Sequence, residues 1–353
     1  MYYNISLKGM VRMKTAIYHI NHDDHDLIIK KSSEVIKAGG LVVFPTETVY
    51  GIGANALNED ASKKIYLVKG RPSDNPLIVH IAKHEDVFLY AKDISNDARL
   101  LMETFWPGPL TLVLPKTDKI PTEITGGLNT VAIRFPSNKI AQDLIRASGL
   151  PICAPSANIS GTPSSTTFDH VFKDLFGKVE IIIDGGKSSG GLESTVLDVT
   201  GDKPVILRPG SITKSMIENT LDKSVDAPDT FIEDLSIPRA PGMKYKHYAP
   251  KGYVTILDGT HKQIKKYIDN LNNKDVGIIG SNELCELLDD YNTFKLGSIK
   301  DVETIAKNIF LALREMDEQE IKTIYIEAIK DQDLGIAIMN RLLKAANKNI
   351  VHL

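Results

Sequence analysis

Residues 41–51 read Leu41-Val42-Val43-Phe44-Pro45-Thr46-Glu47-Thr48-Val49-Tyr50-Gly51. Four apolar residues closed by a proline predict a short buried strand. The turn after it carries hydroxyls and a carboxylate and reaches a glycine. Upstream, 23–38 places apolar side chains at Leu27, Ile28, Val35 and Ile36 and stops at Gly39-Gly40, the pattern of a helix with a glycine end. Helix, buried strand, then polar turn is the unit of an α/β fold, and such folds bind ligands at strand ends.

The same alternation continues outward. Helices are expected at 60–68, 96–105, 139–147 and 168–176, and strands at 77–81, 110–114, 131–135, 181–183, 196–199 and 205–207. Trp106-Pro107-Gly108-Pro109 breaks the chain after one helix, with Trp106 expected in the core. Several connections are short enough for antiparallel pairs, so a twisted mixed sheet is expected for a catalytic domain over 24–213. From about residue 211 the apolar period fades and Pro228, Pro238, Pro241 and Pro250 punctuate the chain, so 214–252 is expected as a linker. Arg239, Lys244, Tyr245, Lys246, His247 and Tyr248 give that linker the cations and aromatics of a lid over a nucleotide rather than of a plain tether. A fresh pattern follows, with strands at 254–257, 276–279 and 323–326 between helices at 261–271, 302–316 and 334–346. It predicts a smaller Rossmann-like parallel-sheet domain over 253–353.

Composition narrows the function. The 353 residues are 42% hydrophobic and 25% charged with a net charge of -3, which gives no overall basic footprint for coating nucleic acid. Any direct binding of tRNA is expected to be weak. The only cysteines, Cys153 and Cys285, fall in different predicted domains, so a reducing cytoplasm rather than a disulfide framework is expected. No apolar run approaches the ~18–20 residues that span a bilayer, and no membrane partner is expected. Met10 or Met13 could serve as the start of translation in place of Met1.

The chemistry gathers in four Gly/Pro-rich turns: 44–51, 69–77, 154–158 and 207–210. Generic nucleotide motifs do not explain them. Gly186-Lys187-Ser188 has Ile181 where a Walker loop needs glycine. Gly51-Ile52-Gly53-Ala54-Asn55-Ala56 fits a dinucleotide fingerprint only loosely, because Thr46 to Tyr50 intervene between strand and glycines. His80 and His84 have the spacing of metal ligands on a helix, but His80 ends a strand, and no protein metal ligand is expected. His19, His22 and His25 read as a solvated surface, and Cys153, beside Pro151 and Ile152, as a buried small residue.

Taken in order, the motifs resemble the YrdC-type threonylcarbamoyl-AMP synthase family in its long form, with an extra C-terminal domain. They are Pro-Thr-Glu-Thr-Val-Tyr-Gly from Pro45, Lys-Gly-Arg-Pro from Lys69, Asn-Pro-Leu-Ile-Val-His from Asn75, Trp-Pro-Gly-Pro-Leu-Thr from Trp106, Ala-Pro-Ser-Ala-Asn from Ala154, Leu-Glu-Ser-Thr-Val from Leu192 and Leu-Arg-Pro-Gly from Leu207. The resemblance implies that threonine, bicarbonate and ATP, the last with Mg²⁺, give threonylcarbamoyl-adenylate and pyrophosphate. It further implies that a partner transferase complex then moves the group to tRNA. By the same resemblance Thr48, His80, Arg134, Ala154 (through its backbone) and Ser194 contact threonine. Lys69, Arg71 and Ser156 are the implied catalytic residues. Arg71, Asn75, Thr130, Ser156, Ser164, Arg208 and His247 are the implied ATP contacts, with Asn129 and Ser165 as alternatives one residue from Thr130 and Ser164. Joining two anions needs cations to offset their repulsion, and Lys69, Arg71, Arg134 and Arg208 supply them. A rival of another kind is an RNA-binding module, for which the cations are few and no aromatic stacking surface is evident. A hydrogenase-maturation carbamoyltransferase is a second rival, but its architecture needs cysteine pairs that are not present.

Overall fold

The computed structural model describes residues 13–227 and 248–353. The expected lid residues Arg239, Lys244, Tyr245, Lys246 and His247 therefore lie outside the described residues.

The chain opens with strand β1 (Ala16–His19), helix α1 (His25–Lys37), β2 (Val42–Phe44), β3 (Gly51–Asn55), α2 (Glu59–Lys69) and β4 (Ile78–His80). It continues through α3 (Val87–Tyr90), α4 (Asn96–Phe105), β5 (Leu110–Pro115), α5 (Thr122–Thr125), β6 (Thr130–Arg134), α6 (Lys139–Ser148) and β7 (Ile152–Cys153). The larger unit closes with α7 (Phe168–Leu175), β8 (Ile181–Asp184), β9 (Thr195–Asp198), β10 (Val205–Arg208) and α8 (Lys214–Leu221). Helix starts follow local chemistry: Asp24 caps α1 by accepting from the amides of Asp26 and Leu27, and Asn58 caps α2.

Ten strands form one mixed sheet in the order β1-β8-β2-β3-β7-β4-β6-β5-β9-β10. β4 and β6 run parallel, while β5 and β6 pair antiparallel, which is the mixed sheet expected from the connection lengths. Helices α1, α2, α4, α6 and α7 turn apolar stripes onto it, burying Ile28, Ile36, Ile65, Leu101, Leu144 and Val171 in one core with Trp106. The Trp106 indole donates to the Leu110 carbonyl at 2.7 Å. The glycine-rich 51–55 segment is not a phosphate loop but strand β3, paired antiparallel with β2. Residues 214–221, placed in the expected linker, form helix α8, and its Ile217 and Leu221 belong to the core of the sheet.

The smaller unit holds β11 (Tyr253–Asp258), α9 (His261–Asn270), β12 (Gly277–Gly280), α10 (Asn282–Leu287), β13 (Asn292–Lys295), α11 (Val302–Glu318), β14 (Thr323–Glu327), α12 (Leu334–Ala345) and β15 (Ile350–His352). All its pairs are parallel, in the order β13-β12-β14-β11-β15. Its strands β11, β12 and β14 are largely apolar because helices cover both faces.

The two units share a packed seam. Val49 and Leu192 of the larger unit sit in the apolar cluster of the smaller one, beside Phe310 and Ala337. Two buried arginines of the smaller unit reach across. Arg314 on α11 pairs with Asp174 at 2.8 Å and Arg341 on α12 with Glu193 at 2.9 Å.

Candidate active site

The site grows from register. Thr111 of β5 lies opposite Arg134 of β6, and Arg134 lies beside His80 of β4. Partners in register project to the same face, so these three side chains form a row across neighbouring strands. Arg134 is 4% exposed and its donors are spread over two loops, one holding Glu47 and Thr48 and the other Gly108. Nε reaches the Gly108 carbonyl at 3.3 Å, Nη1 donates to Thr48 Oγ1 at 2.9 Å, and Nη2 lies 2.7 Å from Glu47 Oε1. The last contact is a buried ion pair. Burial pushes the Glu47 carboxyl up, but the charge and hydrogen bonding of Arg134 together with backbone N–H donors outweigh it and hold the group below the usual carboxylate range. His80 is 3% exposed, its Nδ1 has no partner, and burial next to Arg134 lowers its pKa to about 3. It is a neutral imidazole at physiological pH.

Ser194 lies next to this row. Its Oγ shares a 2.7 Å hydrogen bond with Thr111 Oγ1, and Arg208 Nη2 donates to the same Oγ at 3.1 Å. Arg208 also clasps the Ser194 carbonyl through Nε and Nη2 at 3.0 and 2.9 Å. A bulge in the β9–β10 ladder between Ile206 and Arg208 shifts the register, the usual device for re-aiming a side chain at a strand end.

The other wall is built at the end of α2. Gly70 adopts φ 62° and ends the helix, which turns Lys69 and Arg71 inward. Lys69 Nζ donates to the carbonyls of Ser156 and Asn158, both at 2.5 Å. In its charged form Lys69 has a third N–H for the cavity it lines. Burial, and then the Arg71 charge, push the Lys69 pKa well down. Burial lowers Arg71 to about 10, still cationic at neutral pH, and its Nε has no partner. Asn75 is 1% exposed with neither side-chain oxygen nor nitrogen satisfied. Leaving an amide buried and unpaired costs about 1–3 kcal/mol, and a ligand that pairs it recovers that cost. Ser164 Oγ donates to Glu193 Oε1 at 2.5 Å. Burial pushes Glu193 up, but Arg341 and Arg208 outweigh it and hold its pKa near 2.

One cavity collects Thr48, Lys69, Arg71, His80, Arg134, Ala154, Ser156, Ser164, Ser194 and Arg208 from the sequence-derived set. Asn75 stands just behind, its carbonyl 3.5 Å from Arg71 Nη2. Thr130 is not among the residues lining this cavity; it starts β6, the strand that Arg134 ends. Of the alternatives at 164 and 165, Ser164 lines the cavity, whereas Ser165 Oγ is spent on the Ala157 carbonyl at 2.8 Å. The Ala154 N–H is spent on the Ile78 carbonyl at 3.0 Å. Cys153 is fully buried and its thiol is raised to about 12, so it is no nucleophile. Sequence reading passed over Glu47, Asn158, Glu193 and Tyr248. The first three stand inside the very motifs that were quoted, as polar residues in tight turns beside strands, and that was their signal. Tyr248 was noticed only as part of the linker; its side chain lines the cavity and the next residue is tied to the Gly161 carbonyl at 2.9 Å.

Two cationic subsites that meet at one serine can bring two anions within bonding distance, the task of a group-transfer enzyme working on carboxylate and phosphate substrates. A family model for Sua5/YciO/YrdC proteins, described as "Telomere recombination", matches residues 34–210, and one described as "Threonylcarbamoyl-AMP synthase, C-terminal domain" matches 212–347. The threonylcarbamoyl-AMP synthase of Pyrococcus abyssi is 46% identical over 343 residues, covering 96% of this chain and 99% of that protein. That of Bacillus subtilis is 43% identical over 346 residues, covering 96% and 100%. A crystal structure of P. abyssi Sua5 complexed with L-threonine superposes with a TM-score of 0.89 at 44% identity, covering 96% of this chain and 99% of that one. The chain belongs to the Sua5/YciO/YrdC family and, within it, to the threonylcarbamoyl-AMP synthases. It is a nucleotidyltransferase-type enzyme that forms L-threonylcarbamoyl-adenylate, the activated group for threonylcarbamoyladenosine modification of tRNA.

Proposed function

We propose that the cavity takes L-threonine on the Arg134 side and ATP on the Lys69–Arg71–Arg208 side, with bicarbonate entering between them. The observation that carries this division is Ser194, hydrogen-bonded to Arg208 and to Thr111, the register partner of Arg134. In this reading Arg134 takes the amino-acid carboxylate, and Thr48, neutral His80, Ser194 and the Ala154 carbonyl surround the rest of threonine. Lys69, Arg71, Asn75, Ser156, Ser164 and Arg208 hold the nucleotide, and His247 is assigned to it by resemblance alone. The P. abyssi relative with bound threonine supports the amino-acid half.

The chemistry asks little of a side-chain base. The threonine amine and bicarbonate give a carbamate and water. A carbamate oxygen then forms a bond to the α-phosphorus as the bond to the β-phosphate oxygen breaks, releasing pyrophosphate. Arg71, Arg208 and the free donor of Lys69 offset the meeting of two anions and the charge gathering on the leaving group. Mg²⁺ enters with ATP, held by phosphate oxygens and water. Among the described residues no cluster of three His, Cys, Asp or Glu could hold an ion, and Glu47 and Glu193 are already engaged by arginines. A transferase complex downstream receives the adenylate.

Pyrophosphate release is the test, followed while each substrate is withheld in turn. Release should require ATP, threonine and bicarbonate together, and the adenylate should appear by mass spectrometry. Equal release without threonine or without bicarbonate defeats the carbamate step.

A further inference from the structure

Arg341 belongs to α12 of the smaller unit, yet it is fully buried against the larger one. Its Nε donates to Glu193 Oε2 at 2.9 Å, and Nη1 donates to the Pro209 carbonyl at 2.6 Å. Nη2 reaches the Glu193 carbonyl at 3.4 Å, so one guanidinium grips both the side chain and the backbone of this residue. The opposite oxygen of Glu193 accepts from Ser164 Oγ. Arg341 therefore ties together the residue after Arg208, the residue before Ser194, and Ser164. Arg314, on α11, makes a similar grip beside Ser164. Its Nε and Nη2 donate to the Pro163 carbonyl at 3.0 and 2.6 Å while its other contacts hold Asp174 and Ser165 Oγ. Ser164 is thus fixed from its own backbone neighbour by Arg314 and from its side chain, through Glu193, by Arg341.

We propose that Arg341 is a positioning residue for the nucleotide: acting through Glu193, it sets Ser164 and the 193–194 segment that Arg208 clasps, so that the smaller unit completes the ATP-binding wall of the larger one. The proposal rests on the assignment of Ser164 and Arg208 to ATP. A planar fork is needed because three acceptors in different directions are held at once, which an ammonium on a flexible stem does not reproduce. A contact that served stability alone would weaken both substrates alike when lost. This one predicts a larger effect on ATP than on threonine: Arg134, Thr48 and Gly108, which Arg341 does not touch, organise the carboxylate side of the threonine subsite, and the 193–194 segment reaches that subsite through Ser194 alone.

The experiment is steady-state pyrophosphate release by the full chain, with KM measured separately for ATP and for threonine. Arg341→Gln should raise KM for ATP roughly tenfold or more while KM for threonine stays within about threefold, and Arg341→Lys should fall between it and the parent. Glu193→Gln keeps the shape and removes the counter-charge. It should give the same split, and it answers the question if Arg341→Gln does not fold. Ser164→Ala should also raise KM for ATP, and the Arg341→Gln/Ser164→Ala double variant should fall short of the product of the two effects, as expected of residues on one path. If Ser164→Ala and Arg208→Ala raise KM for ATP but the Arg341 and Glu193 variants leave it unchanged, the proposal fails while the ATP assignment stands. If Ser164→Ala and Arg208→Ala leave it unchanged, the ATP assignment fails and takes the proposal with it. Equal increases in both KM values for the Arg341 and Glu193 variants, together with a multiplicative double variant, also overturn it.

Discussion

At Arg134 a buried guanidinium meets two carboxylates in turn: Glu47, which sits against Nη2, and the carboxylate of threonine in the proposed complex. Glu47→Gln keeps the shape but leaves Arg134 without its counter-charge, which should cost about 3 kcal/mol in the ligand-free protein. Threonine then supplies the missing anion, so added threonine should raise the melting temperature of this variant more than that of the parent. An equal rise in both proteins would separate Glu47 from the carboxylate subsite. Histidines set a second residue-scale expectation. Burial lowers both His80 and His170 to about 3, so the unfolded chain, with histidines near 6.5, binds more protons between those values. Their contribution is therefore fully present above about pH 6.5 and is lost as pH falls, by up to about 1.4 kcal/mol per pH unit for each histidine. Glu193, held near 2, adds its own loss only below about pH 4.5. Denaturant melts from pH 7 to 4.5 should show the decline, and the His80→Gln/His170→Gln pair should flatten it. An unchanged slope in that pair would mean that other groups drive acid unfolding.

Gly70 shows how an element's end depends on what stands beside it. Gly70, at φ 62°, has nothing within 4 Å of the place a Cβ would take. Gly70→Ala should therefore pay only the left-handed backbone term of about 1 kcal/mol, read as a shift in denaturant midpoint with the slope unchanged. A loss several times larger would mean that the Lys69–Arg71 turn tolerates no adjustment. Most elements were legible because they are periodic and amphipathic: α1, α6 and α11 show their faces in sequence. The elements missed lack that signal. β1 and β15 are short edge strands, β7 has two residues, and β3 carries two glycines, Gly51 and Gly53, at the second of which Phe44 packs too close for a side chain. α8 was absorbed into the expected linker because one apolar turn in a proline-poor start does not stand out against a loose segment. Site residues in turns beside strands were legible as types. Their partners were not, since Glu47 finds Arg134, and Glu193 finds Arg341, across intervals that no local spacing reports.

Across the whole molecule, the seam between the units was the least legible feature. Arg314 and Arg341 read as ordinary helix cations until both faces are in place. Gly191 marks how close the units come: at φ 76°, a Cβ there would stand 2.3 Å from the Lys307 Cα and 2.8 Å from the Ala306 carbonyl. Backbone cannot yield as a flexible side chain does, so Gly191→Ala should lift 190–194 off α11. We expect more than about 2 kcal/mol of destabilisation and two separated melting transitions instead of one. A single transition near the parent midpoint would show that the seam can absorb the methyl group. The sheet itself has a consequence for how the protein is made. β1 lies at the sheet edge and pairs in parallel with β8, Ala16 beside Ile181. At ~5–20 residues per second on the ribosome, the first strand emerges roughly 10–30 s before its neighbour has been synthesised. For that interval the nascent chain carries an unpaired strand edge, and a chaperone that shields the first twenty residues has a defined period of service, ending when Asp184 is free to pair.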